Sequence, residues 1–389
     1  MIYSPQTLDP IIKKLISMGV RPVIVGGYVR DILLAKESKD IDIELYNLLD
    51  LNTLSKSLEP FGKLNFVGKS FGVAKLSYKG YEIDFSLPRR DSKVAKGHRG
   101  FEVSYDASLD FRSAFLRRDF TINAMGYDLQ CGEFIDLFGG RDDLRAKRLR
   151  AVDESSFGDD PLRVLRAVRF CSTLGFSMDS KLFEICQNMV QSGLLGELPR
   201  ERIFSEVEKI LLEAKKPSIA FSYLKKMGLD LFSVDPHLLD NTTNIKTNKL
   251  VIALALLCDG DIEVLAKLSN DKELTRSITK LLTHTNTLRA SMSDLELLHL
   301  ANSVSLEDLL EYNRSANKLT KYEYEELFAR AKSYNVLREA VPSRCSGDEL
   351  IKEGLKPSKE FKTILAKRYE AQLLDLIEVQ KAQAQSLKQ

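Results

Sequence analysis

The sequence predicts an α+β fold, with a mixed sheet and helices in its first part and helices alone thereafter. Three observations carry that expectation. Short runs that alternate apolar and polar residues, the mark of half-buried strands, recur as far as Phe138 and then stop. Glycines at 26, 27, 62, 68, 72, 80 and 132 punctuate those runs. Past Ile210 the apolar residues keep helical spacing only.

Bulk properties narrow the function classes. A chain of 389 residues has room for two to four packed units, and 44% hydrophobic with 29% charged residues fits a globular protein. No apolar run approaches the roughly 18 residues needed to span a bilayer, and the N-terminus lacks a basic-then-apolar leader pattern. No membrane partner and a cytoplasmic location are therefore expected. Five widely spaced cysteines without a C-x-x-C argue against a disulfide framework or a zinc site. A net charge of +2 announces no nucleic-acid binder, but arginines concentrate at 141–150 and 163–169, where phosphate contact competes with an ordinary solvated helix face.

In chain order, Pro10 to Met18 reads as an amphipathic helix. Pro22 to Val25 reads as a buried strand that Gly26 and Gly27 break, and Tyr28 to Leu34 has the spacing of a short helix. Backbone N–H groups at such a turn can hold a phosphate, which makes Gly27 and the forked cation Arg30 nucleotide-binding candidates. Asp40 to Leu45 alternates with period two, so Asp40, Asp42 and Glu44 share one strand face and Ile41, Ile43 and Leu45 the other. Adjacent carboxylates repel unless a cation lies between them; Mg²⁺, held by Asp40 and Asp42 with positions left for phosphate oxygens, suits that need. A solvated acidic edge strand is the plainer alternative.

Asn52 to Leu58 reads as a helix, and Leu64–Val67, Val73–Tyr78 and Tyr81–Leu87 as strands. Glu82 and Asp84 share a face; Asp84 is favoured as a third carboxylate, with two solvated acids as the even alternative. Pro88 to Phe115 shows few periodic signals and is expected to be a mobile loop, uncommon at that length unless functional. In Arg117 to Met125, Arg118 can supply a bidentate phosphate fork and Asp119 can accept from a ribose 2′-hydroxyl, with a surface Arg-Asp pair entering a strand as the plainer alternative. Asn123–Leu129 and Glu133–Phe138 read as a hairpin, and a domain boundary is expected near Arg145 to Asp153. Gly158 to Arg163 opens a helix in which Asp159 and Asp160 suit capping, while Arg163, Arg166 and Arg169 form a basic stripe opposite Leu162, Leu165 and Val168.

G-G-Y-V-R-D at 26–31 with D-I-D at 40–42, then R-R-D-F-T-I-N-A at 117–124, D-D-P-L-R at 159–163 and L-P-R-E-R-I at 198–203 through Glu206, form an ordered set. That set resembles the nucleotidyltransferase head of the DNA polymerase β superfamily, in particular the class II tRNA nucleotidyltransferase and bacterial poly(A) polymerase family, over residues 20 to 210. Two positions depart from the family pattern: Asp159 stands where Glu is usual, and Pro199 where Ser is common. The resemblance implies a polymerase-β-like head at 1–148, a base-recognising neck at 149–215, a helical body at 216–290 and a tRNA-binding tail at 291–389. It also implies template-independent addition of C, C and A from CTP and ATP to a tRNA 3′ end, with Mg²⁺ as cofactor.

In that reading Asp40 and Asp42 are catalytic and hold the metal, Gly27, Arg30 and Arg118 hold the triphosphate, and Asp119 meets the ribose. Asp160 and Arg163 read the base, Arg166 and Arg169 support base or phosphate, and 198–206 braces the base-reading helix. An acceptor-only acid beside a donor-only guanidinium matches the amino and ring-nitrogen edge shared by cytosine and adenine, and opposes the edge of uracil and guanine. Apparent presence of the loop after Pro88 argues against a CC-only enzyme. Rival readings are an A-adding enzyme or bacterial poly(A) polymerase, disfavoured by the mixed charge of Lys356 to Gln389, and a non-catalytic tRNA-binding module, disfavoured by the retained acid pair. Leu257-Cys258-Asp259-Gly260 lacks the histidine of an HD metal pair, so no such phosphohydrolase activity is expected.

Overall fold

Strands β1 (Arg21–Val25) and β2 (Asp40–Tyr46) lie at the centre of a seven-stranded mixed sheet, flanked by helices α1 (Asp9–Ser17) and α2 (Gly27–Leu33). The computed structural model describes residues 4–67, 72–93, 101–229, 234–258 and 260–386. Helix α3 (Leu54–Leu58) follows, then β3 (Asn65–Val67), β4 (Val73–Tyr78) and β5 (Tyr81–Ser86). With β8 (Met125–Asp128) and β9 (Glu133–Asp136), the sheet runs β3-β4-β5-β2-β1-β8-β9. β2 pairs in parallel with β5 and antiparallel with β1, which makes the sheet mixed, as expected.

The alternation in β2 does what period-two patterning requires. Ile41, Ile43 and Leu45 are fully buried, each such side chain worth about 1.5–3 kcal/mol of removed apolar surface. The acidic face passes into core as well: Tyr46 joins Val23, Val25, Ala114, Phe115, Ala124 and Ile135 in one apolar cluster. So β2 carries its polar residues toward one end only, where Gly26 turns the chain at φ 76° to start α2.

Three expectations need correction. Pro88 to Phe115 is not a plain loop: β6 (Arg89–Lys93) and β7 (Phe101–Tyr105) pair antiparallel, and α4 (Phe111–Leu116) follows, capped by Asp110. The Arg-Arg-Asp-Ser-Lys strand has no apolar alternation, so backbone pairing rather than side-chain pattern makes it a strand. Residues 94–100, His98 among them, lie outside the described residues, as do Gly68 and Asp259. The hairpin's first arm starts at Met125, because Thr121–Asn123 form a 3-10 turn. Finally, the arginines at 148 and 150 are not free for phosphate: both pair with Asp143, at 2.6 and 2.9 Å, and that fully buried carboxylate also accepts from Thr121 Oγ1.

After α5 (Gly140–Arg145) and β10 (Arg148–Leu149), helix α6 (Leu162–Leu174) leads to β11 (Ser177–Met178), which pairs in parallel with β10. Helix α7 (Ser180–Gln191) buries Leu182, Cys186, Met189 and Val190, and α8 (Arg200–Glu213) and α9 (Pro217–Lys226) follow. Phe120 packs edge-on against Phe170 at 5.5 Å and lies 5.8 Å from Phe157, joining the strand-rich part to α6 through aromatic core. Met1–Val207 with Ile219–Leu229 form one compact unit.

The second unit, Glu208–Ser218 with Asp230–Gln389, is helical. It contains α10 (Lys249–Cys258), α11 (Ile262–Leu268), α12 (Lys272–His284), α13 (Asp294–Ala301), α14 (Leu306–Ser315), α15 (Lys321–Ser333), α16 (Gly347–Lys352) and α17 (Glu360–Ser386). α10 is buried all round from Ile252 to Cys258, which explains its lack of a polar face; α11, α12 and α14 pack on it. Ser293, Thr320 and Ser346 start their helices with full capping boxes to Glu296, Glu323 and Glu349. Among the described residues no helix is long and apolar enough to cross a membrane.

Candidate active site

Register brings the acids together. Parallel pairing of β2 and β5 sets Asp42 beside Asp84 and Asp40 beside Glu82, so four carboxylates occupy one face of two neighbouring strands. Asp42 pairs across to Val25, the residue before Gly26; a Cβ on Gly26 would stand 3.7 Å from Asp42 Oδ2. A cavity of about 200 Å³ opens here, lined by Asp42, Glu44, Asp84, Arg117 and Arg118 among others. Solvent reaches the Asp42 carboxylate, yet protein surrounds it closely enough that lost hydration raises its pKa; Arg118 opposes the shift, and Asp84 and Glu44 add to it. Lys75 Nζ holds Asp84 at 2.6 Å, while Ser77 Oγ donates to Glu82.

An oxygen-only donor set of this kind fits Mg²⁺. Among the described residues no three His, Cys, Asp or Glu side chains converge so as to hold a metal ion between them. Two carboxylates on one strand face suit an ion that keeps waters and takes substrate oxygens for its remaining positions.

Glu44, next on that face, has a different environment. It is fully buried, and its Oε1 accepts from Arg117 Nη2 and Arg118 Nη2, both at 2.8 Å, while Tyr46 donates its hydroxyl to Oε2 at 3.1 Å. Arg118 Nη1 reaches the Asn123 carbonyl at 3.4 Å and approaches Gly26 so closely that a Cβ there would lie 2.9 Å away. Its Nε is buried and has no acceptor among the described residues. Thus Gly26 serves two needs, a positive φ and space for a guanidinium.

Arg30 is engaged rather than free. It forks onto Asp31 through Nε and Nη2, both at 2.9 Å, and donates Nη1 to Asn123 Oδ1 at 2.8 Å. Gly27, at the start of α2, lies under it, 3.6 Å from Arg30 Nη2 to a built Cβ. Asp119 faces the helix: Arg166 donates Nε to it at 2.7 Å, and Asn123 and the Phe120 amide donate to its other oxygen. Burial alone would raise the Asp119 pKa; the Arg166 charge and those hydrogen bonds outweigh it, and the carboxyl titrates below its ordinary range.

At the start of α6, Asp160 Oδ1 accepts from the Leu162 amide at 3.1 Å, and Oδ2 pairs with Arg202 of α8 at 3.2 Å. Arg163 donates to the Arg117 carbonyl at 2.7 Å and to the Ser156 carbonyl at 3.2 Å. Arg169 pairs with Glu206 at 2.6 Å. The segment 198–206 therefore touches α6 through Glu206, and Asp160, just before that helix, through Arg202. Three guanidiniums, those of Arg30, Arg166 and Arg169, stand 5.1, 5.5 and 4.3 Å from the ring centre of Phe170.

Of the residues the sequence nominates, Asp42 and Arg118 line this cavity, while Asp40, Gly27, Arg30, Asp119, Asp160, Arg163, Arg166 and Arg169 are not part of its lining; three residues that organise the surroundings were not nominated. Glu44 was legible as the third acid of the alternating face, Asn123 as part of the R-R-D-F-T-I-N-A run, and Phe170 by no signal we recognise.

Comparison with known proteins gives a consistent picture. Residues 23–150 match the model of the poly A polymerase head domain, and residues 175–232 that of the probable RNA and SrmB-binding site of polymerase A. The chain is 36% identical over 208 residues to a multifunctional CCA protein of Pseudoalteromonas atlantica, covering 53% of this chain and 49% of that protein. It is 32% identical over 299 residues to a CCA-adding enzyme of Alteromonas mediterranea, covering 74% and 72%. The chain thus spans about half the length of the first of these curated relatives and nearly three quarters of the second. Its fold is like that of a CCA-adding enzyme solved with CTP, at TM-score 0.75 and 23% identity over 98% of this chain and 96% of that one. It is equally like the Bacillus stearothermophilus CCA-adding enzyme in complex with CTP, at TM-score 0.74 and 22% identity over 99% and 100%.

Proposed function

Because the chain belongs to the class II CCA-adding enzyme and bacterial poly(A) polymerase family, we propose that it is a template-independent tRNA nucleotidyltransferase that adds C, C and A to the tRNA 3′ end. The observation that carries this reading is the acid face of β2 and β5 opposite the Glu44-held arginines, in one cavity beside the Gly26 turn. In the reaction the tRNA 3′-oxygen bonds to the α-phosphorus of CTP or ATP. The bond to the β-phosphate bridging oxygen breaks, pyrophosphate leaves, and the hydroxyl proton passes to solvent.

Each residue has a task that follows from its surroundings. Asp40 and Asp42 hold Mg²⁺, which when bound supplies charge compensation for phosphate oxygens and eases loss of the hydroxyl proton. Arg118 faces the triphosphate: one carboxylate shared between two guanidiniums leaves the Arg117–Arg118 pair with one unit of positive charge. Gly27 offers backbone N–H at the start of α2, and Arg30, already paired, holds that turn in shape. Asp119, whose oxygens already accept from Arg166, Asn123 and the Phe120 amide, meets the ribose through a remaining lone pair and carries Arg166 with it. Asp160 and Arg163 read the base edge, and Arg169 steadies their helix through Glu206. Residues 1–148 act as catalytic head, 149–215 as neck, 216–290 as body and 291–389 as the tRNA-binding tail. Free thiols at all five cysteines suit a cytoplasmic setting.

The test offers the protein tRNAs ending before CCA, after C and after CC, each with one labelled nucleotide, in Mg²⁺ and again after EDTA. Expected are C on the first two ends, A on the third, no U or G, and no product after chelation. Addition of A to every end without C would overturn the reading.

A further inference from the structure

We propose that Glu44 is a positioning residue through which the metal-bearing strand sets nucleotide selectivity, by fixing the Arg117–Arg118 segment on which Arg163 rests. The inference builds on the functional reading above. Glu44 shares a strand face with Asp40 and Asp42, yet it is no third metal ligand. Both of its oxygens are taken by protein donors, two guanidiniums on Oε1 and the Tyr46 hydroxyl on Oε2.

The connection onward is covalent and short. The residue whose side chain Glu44 grips, Arg117, presents its backbone carbonyl to Arg163 Nη2 at 2.7 Å. Arg118, gripped by the same oxygen, lines the cavity with Asp42. One buried carboxylate therefore locks the triphosphate cation and, two bonds of chain away, the support of the base-reading arginine. A base edge is discriminated only if its reader is held still, since a free guanidinium swings to meet any acceptor. Release of this clamp predicts a particular fault: weaker nucleotide binding together with acceptance of wrong bases.

Glu44→Gln keeps the size and removes the charge that holds two arginines at once. Expected per folded molecule are a KM for CTP and ATP raised about tenfold, and discrimination against UTP and GTP lowered by a similar factor, with kcat changed less. Tyr46→Phe removes only the Oε2 partner and serves as control, with thermal stability lowered and both kinetic properties at wild-type values. A Glu44→Gln protein that melts earlier but keeps wild-type KM and selectivity overturns the inference, because a merely structural role moves melting alone. So does an equal loss of selectivity in Tyr46→Phe. Should Glu44→Gln yield no folded protein, the same constants are read from Glu44→Asp, one methylene too short to reach both guanidiniums; wild-type values there overturn the inference. Wild-type protein that transfers neither CMP nor AMP defeats the functional reading and this one with it, whereas normal transfer with unaltered Glu44 variants defeats this one alone.

Discussion

Asp42 and Asp119 respond oppositely to pH. Burial raises the Asp42 pKa, so the folded state binds that proton more tightly than the unfolded one; its contribution to stability is present at low pH and is lost as pH rises through the folded value. Asp42→Asn should therefore raise the melting temperature at neutral pH while lowering nucleotide incorporation by about 10³-fold or more, read by calorimetry and by labelled CTP transfer. Asp119 has a lowered pKa, so its stabilisation holds above the unfolded pKa and disappears as pH falls through the folded one. Asp119→Ala strands Arg166 and should cost about 3 kcal/mol in urea denaturation at pH 7, with a smaller cost at pH 3. Residue types were readable in the chain, but these pairings were not: Glu44 meets Arg118 across 74 positions, and Asp119 meets Arg166 across 47.

Among elements, β2 and α6 were the most legible, because each has one face whose period is unambiguous. Ile41, Ile43 and Leu45 define a strand, and Leu162, Leu165 and Val168 a helix, before any partner is known. β6 was illegible for the converse reason, since five consecutive polar residues give period-two patterning nothing to act on; its partner β7, Phe-Glu-Val-Ser-Tyr, does alternate and carried a strand signal of its own. The arginine stripe of α6 shows a subtler limit. Helical spacing correctly put Arg163, Arg166 and Arg169 along one side, but free cations and paired cations have the same spacing. All three are paired, with carbonyls, with Asp119 and with Glu206. The α6–α8 contact should accordingly be energetic: a double-mutant cycle of Arg169→Ala and Glu206→Ala is expected to give a coupling of about 2 kcal/mol, and a value near zero would reduce that pair to decoration.

For the whole molecule, the described strands all fall in the first compact unit, which runs to Val207 and includes α6 and α7, while the second unit is helical. Fold class survives at 22–23% identity to solved CCA-adding enzymes because it rests on apolar pattern, which tolerates exchange of one hydrophobe for another. The helical unit is the least informative stretch: α10 to α17 announce their caps and buried faces but no chemistry. If its role is to hold tRNA through phosphates, kcat/KM for tRNA should fall steeply and log-linearly between about 50 and 200 mM salt, while KM for CTP changes little; parallel curves would contradict that division of labour.

Phe170 is an apolar side chain set among cations. Its ring is ringed by the guanidiniums of Arg30, Arg166 and Arg169, which its electron-rich faces help to crowd together. A leucine at this position would leave Arg30 with Asp31 and Asn123, Arg166 with Asp119 and Arg169 with Glu206, and would remove only the attraction that an electron-rich ring adds to three neighbouring cations.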